Sequence, residues 1–181
     1  MYEALATQGR DKVHTGLAGI DSSKLKKLRS TQLRECFSLI DEMRHKLEFV
    51  ARIKGISFID DAASRTPLST WYALETIDSS VIWIANGASM NNQRLNDLKR
   101  LRNLADRKVK MIICLGDSTV YKNVFGETVR YIVSVDTMRE AVNAAFYSNM
   151  EDVKILFSPA LENGVSFEIQ GESFQHEVNE I

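Results

Sequence analysis

Five short, almost wholly apolar runs recur along this chain: ISFID (56–60), VIWIANG (81–87), VKMIICLG (109–116), VRYIVSV (129–135) and VKILFSP (153–159). Runs of this length and β-branched content are strands, and strands without polar alternation are buried on both faces. The segments between them carry helix signals. Thr66 caps and Pro67 opens a helix to about Ile77. Leu95, Leu98, Leu101 and Leu104 stripe a helix over about 92–106, and a short helix stops at Gly126. Thr137-x-x-Glu140 is a capping box, and a last helix runs to the C-terminus. This alternation predicts an α/β fold: a Rossmann-like, mostly parallel sheet of five to six strands with helices on both faces. Leu47–Ile53, broken by Gly55 before ISFID, adds a pair of short strands meeting at a turn.

Upstream, residues 1–21 show no sustained period and are expected to form a flexible arm. From 22 to 44 the positions Leu25, Leu28, Leu33, Cys36, Phe37 and Ile40 stripe a helix that Ser22 or Ser23 caps. The α/β domain is expected over 45–181. At 181 residues and 44% hydrophobic content, one core plus an appendage is the expected organisation. The formal charge of -1 gives no electrostatic case for nucleic acid or an anionic membrane as partner. No apolar stretch approaches a membrane span and the N-terminus lacks a signal-peptide core, so a cytoplasmic location is expected. Two cysteines make no disulfide framework, and Cys114, inside MIICLG, reads as a buried thiol.

In a doubly wound sheet, ligands gather at the carboxyl ends of the strands. Those ends are Asp60-Asp61, Asn86-Gly87, Gly116-Asp117, Asp136 and Ser158-Pro159. The same residue types are ordinary turn and cap residues, so they mark a place rather than an activity. No G-x-G-x-x-G, G-x-S-x-G or G-x-x-x-x-G-K-[ST] occurs, and His14, His45 and His176 lack the pairing a helical metal site uses. The basic run 99–110 reads as the solvated side of the leucine stripe, with Lys99, Arg100, Arg102 and Arg107 flanking it. Trp71 and Tyr72 are expected to pack in the core or at the sheet edge.

The stretch HKLEFVARIKGISFIDDAASRTPLSTWYALE (45–75) resembles the start of the C-terminal domain of a Mur ligase, and most closely the type that adds D-glutamate to UDP-N-acetylmuramoyl-L-alanine. That family carries His-Arg-x-Glu-Phe, then an Asn-Asp-Ser-Lys-Ala-Thr-Asn loop, then Ser-Thr opening a helix. His45, Glu48, Phe49, Phe58, Asp61, Ser69 and Thr70 keep the pattern, while Ala63 and Arg65 stand in place of the loop's lysine and threonine. Farther on, Ser158-Pro159-Ala160 and Phe167-Glu168-Ile169-Gln170-Gly171 match a tail of that family, three residues shorter between them. Asn86-Gly87-Ala88-Ser89-Met90 replaces a Gly-Gly-x-x-Lys loop. The resemblance covers about 45–181 and is most specific at HKLEF, FIDD and STWYALE.

The resemblance implies a nucleotide contact at Lys46 and Asp61, weakened because lysine lacks the arginine fork. It implies amino-acid contacts at Arg65, Asn86, Ser158 and Phe167, with lysine-type donors lost at two loops. A carboxylate needs charge-assisted donors to offset its desolvation. The family uses ATP and magnesium; with no phosphate cradle in these 181 residues, the chain alone is expected to need no cofactor and to form no peptide bond. Three readings stay open. One is a non-catalytic Mur-ligase-like domain binding a ligand or partner connected with peptidoglycan precursor synthesis. Its partner would be a separate ATP-binding Mur ligase half or another cell-wall enzyme. The second is a C-terminal fragment of a working ligase that contributes nucleotide and D-glutamate contacts. The third is a plain nucleotide-binding module.

Overall fold

A computed structural model of the chain describes residues 44–88 and 92–181. The expected arm over 1–21 and nearly all of the expected helix over 22–44 lie outside the described residues, as do Ser89 and Met90. Six strands form one sheet: β1 (Glu48–Ile53), β2 (Ile56–Asp60), β3 (Ser80–Asn86), β4 (Val109–Leu115), β5 (Tyr131–Val135) and β6 (Val153–Phe157). Their order is β1-β2-β6-β3-β4-β5. β1 runs antiparallel to β2 and every other neighbouring pair is parallel. The β1–β2 hairpin turns on two residues, Lys54 and Gly55, both with positive φ (47° and 87°). That is the backbone of a type I′ turn, whose twist matches the strands it joins, and glycine takes its second position without strain.

Six helices follow: α1 (Pro67–Thr76), α2 (Asn92–Lys99), α3 (Arg102–Lys108), α4 (Thr119–Phe125), α5 (Met138–Phe146) and α6 (Phe167–Asn179). The Thr66 and Thr137 caps form as the sequence indicates, each with a reciprocal box closed by Ser69 and Glu140. Successive residues of β3 point to opposite faces. Val81, Trp83 and Ala85 pack with α1, α3 and α4, and Ile82 and Ile84 with α5 and α6. The sheet is thus buried on both faces, which explains why its central strands read as unbroken apolar runs.

Two expectations are corrected. The single helix over 92–106 is two, because Arg100 and Leu101 donate back to Asp97 and Leu98, three residues earlier. Leucines spaced by three drift around a regular 3.6-residue helix. The tighter turn brings Leu98, Leu101 and Leu104 all into the core at 1% exposure or less. Tyr72 does not share the core position of Trp71: it stands on the outer side of α1, 44% exposed. Among the described residues, no helix is long and apolar enough to cross a membrane.

Candidate functional site

The carboxyl ends of β2, β6 and β3 lie side by side, and their backbones keep pairing beyond the strands. Asp61 N–H donates to Phe157 O (2.8 Å), Ser158 N–H to Ile84 O (3.0 Å) and Asn86 N–H to Pro159 O (3.1 Å). The strand ends where ligands gather in such a sheet are therefore tied together by main-chain bonds before any side chain is considered.

Three of the sequence-derived site residues meet here. Lys46 Nζ lies 2.8 Å from Asp61 Oδ1, with side-chain exposures of 5% and 0%. It also donates to Ser64 Oγ. Ser158 Oγ donates to Asp61 Oδ2 (2.9 Å) and pairs with Thr70 Oγ1 (2.8 Å), while Leu47 N–H reaches Asp61 Oδ1 (3.3 Å). Burial pushes the Asp61 carboxyl above its usual range, and Lys46, Ser64 and Ser158 pull against that shift. Both Asp61 oxygens are engaged and the Lys46 ammonium is turned inward. As placed, Asp61 is fully buried and Lys46 nearly so, and the bonds they make among the described residues run to each other, to Ser64 and Ser158 and to the Leu47 N–H.

Asn86 lies one strand away and joins a different set. Its amide donates to Leu161 O (3.0 Å) and Gln170 Oε1 (3.0 Å), and its own Oδ1 is buried without a partner among the described residues. Gln170 in turn donates to Asn163 Oδ1 (2.9 Å) and Val165 O (3.0 Å), tying the loop after β6 to the start of α6. Arg65 closes the outer rim through an ion pair with Glu162 (2.6 Å). Phe167 turns its ring edge-on to His45, with centroids 6.3 Å apart. The structure thus divides the sequence-derived residues. Lys46, Asp61 and Ser158 form one buried chain, Asn86 anchors a loop, Arg65 pairs at the surface and Phe167 packs beside the sheet.

A second polar cluster forms around His45, a residue whose spacing from the other histidines gives no sign of it. His45 Nδ1 lies 2.7 Å from Asp60 Oδ2, both side chains being fully buried. Gln175 Nε2 donates to the same oxygen (2.9 Å), and Ala62 N–H donates to Asp60 Oδ1 (3.0 Å). His45 N–H donates to Glu48 Oε2 (2.9 Å). The imidazole lies against Gly171, where a Cβ would meet Nδ1 at 2.1 Å, so only glycine fits. The signal available in sequence was Asp60 itself, an acid at the position where the resembled loop has its first asparagine. On the other face of the sheet, burial raises the Cys114 thiol to about 12 and makes it chemically inert.

Comparison with known proteins concerns the chain's sequence and fold. No family model matches the chain. The UDP-N-acetylmuramoylalanine–D-glutamate ligase of Christiangramia forsetii is 33% identical over 165 residues, covering 91% of this chain and 36% of the relative. That of Porphyromonas gingivalis is 31% identical over 180 residues, covering 97% and 39%. The chain therefore spans about two fifths of the length of these curated relatives, in their C-terminal part. Among solved structures, MurF from Acinetobacter baumannii superposes with a TM-score of 0.54 at 17% identity, covering 77% of this chain and 31% of that one. At that identity the likeness concerns the fold. Over nearly its whole length, then, the chain is similar to the C-terminal part of the Mur ligases, and it keeps their α/β architecture.

Proposed function

We propose that this chain acts as a non-catalytic Mur-ligase-like domain, a ligand- or partner-binding protein connected with peptidoglycan precursor synthesis. The relatives are UDP-N-acetylmuramoylalanine–D-glutamate ligases, and that activity supplies the connection. The observation that carries the non-catalytic reading is the inward-turned Lys46–Asp61–Ser158 chain, in which groups of ligand-binding type satisfy one another. Ala63 offers no donor in place of the loop lysine, and the guanidinium of Arg65 is held by Glu162. Without a phosphate cradle in these 181 residues, the chain alone has nothing to hold the phosphates of ATP.

The partner in this reading is a separate ATP-binding Mur ligase half or another cell-wall enzyme. The relatives extend well beyond the matched two fifths, and this favours the second reading, a C-terminal portion that serves a ligase when joined to its other domains. One experiment separates the two. The chain is added to the N-terminal and central part of a related ligase with ATP, magnesium, D-glutamate and UDP-N-acetylmuramoyl-L-alanine. The proposal expects no phosphate release above the control without the chain. Release that depends on both D-glutamate and the chain would establish the second reading instead.

A further inference from the structure

We propose that His45, Glu48 and Asp60 form a binding site for a first-row divalent cation of the zinc type. One nitrogen and two carboxylate oxygens, one from each residue, all lie within 4.8 Å of one another. Imidazole with carboxylates is a donor set that zinc accepts, at bond lengths of about 2.0–2.2 Å, which puts neighbouring ligand atoms roughly 3.4 Å apart. The tightest pair, His45 Nδ1 and Asp60 Oδ2, stands at 2.7 Å. Exchanging the hydrogen between them for a cation requires only a small opening.

Four features favour that exchange. Asp60 is a fully buried carboxylate, and the neighbouring cations are committed elsewhere: Lys46 to Asp61, Arg44 to Glu172. Among the described residues its charge is met by His45, Gln175 and one backbone N–H. His45 already directs Nδ1 at Asp60 Oδ2, and Nε2 has no partner among the described residues, so a proton carried on Nε2 leaves the Nδ1 lone pair for a metal whose bonds replace the Nδ1–Asp60 hydrogen bond. Gln175 lies within 2.9 Å of Asp60 Oδ2 and 3.4 Å of His45 Nδ1. Its amide, turned end for end, brings a fourth donor oxygen to the same point. Glu48 is exposed, which gives the ion an entrance, and its carboxylate is already anchored by the His45 N–H. The cluster draws nothing from the Lys46–Asp61 chain, so the site stands whether or not the chain binds a nucleotide.

The test uses the untagged full chain, stripped with chelator and titrated with cobalt(II) chloride and zinc chloride. Cobalt should develop the visible absorption bands of a four-coordinate ion, and stoichiometric zinc should abolish them. Glu48→Gln and Asp60→Asn should each weaken zinc binding by at least about tenfold in calorimetry, as lost ligands do. His176→Gln, on an exposed turn of α6, should leave it unchanged. Glu48 is at the surface, so its variant remains informative even where Asp60→Asn lowers stability. Absence of both visible bands and binding heat overturns the site, and so does zinc affinity that Glu48→Gln leaves intact.

Discussion

Lys46 and Asp61, fifteen positions apart, are joined by a 2.8 Å ion pair almost wholly removed from solvent. Desolvating two charges offsets most of their attraction, so such a pair adds little net stability, yet losing one partner leaves an uncompensated charge inside. Lys46→Met should therefore destabilise the chain by about 3–5 kcal/mol. Arg65→Ala breaks a surface pair and should cost no more than about 1 kcal/mol. Urea denaturation of both variants checks the contrast, and equal effects would contradict the internal role of Lys46.

The pH dependence of Asp61 has a definite sign. Burial, the largest influence, raises its carboxyl above 3.8, the value it has when unfolded. A carboxyl raised on folding holds more protons in the folded state, so its contribution to stability falls as pH rises from the unfolded value to the folded one. Asp61→Asn removes that titration. The stability of the wild type minus that of the variant should decline as pH rises from 3.8 and then level off. A difference that grows with pH over this window would show that the carboxylate is the favoured buried form.

Lys108 makes the least obvious structural contact. From the end of α3 its ammonium donates to three carbonyls at the end of α1: Leu74 (2.9 Å), Glu75 (2.9 Å) and Ile77 (2.6 Å). These are groups a helix cannot satisfy internally, at its negative end. Lys108→Met should cost roughly 1–3 kcal/mol, since charge-assisted bonds are lost from partly buried carbonyls. Thermal unfolding measures this, and an unchanged midpoint would mean that water replaces the cap freely.

Much of this architecture was legible in the sequence, because strands buried on two faces cannot hide their apolar runs. The parallel strands, the Thr66 and Thr137 caps and the two-residue hairpin were all written in local chemistry. The break at Arg100–Leu101 was not, since it is settled by how three leucines reach one core. The strand ends located Asp61, Asn86 and Ser158 and the resemblance added Lys46, but their partners could not be read. Ser158 meets Thr70 across 88 positions, and Arg65 meets Glu162 across 97. Whether a polar residue faces a ligand or another residue depends on such distant contacts. The His45–Asp60 pair spans only fifteen positions, but one unexpected acid was all that marked it in the sequence.

In the proposed reading, the residues resembling a nucleotide site have turned inward to hold the fold. The most direct test is titration of the isotope-labelled chain with ADP, ATP and a UDP-sugar, followed by amide chemical shifts. One or two polar contacts seldom offset the entropy lost on association, so dissociation constants should be no tighter than roughly 0.1–1 mM. Any shifts should gather at the ends of β2, β3 and β6. Micromolar binding that Lys46→Ala and Asp61→Ala abolish without unfolding the chain would contradict the account, because it would show those two groups facing a ligand.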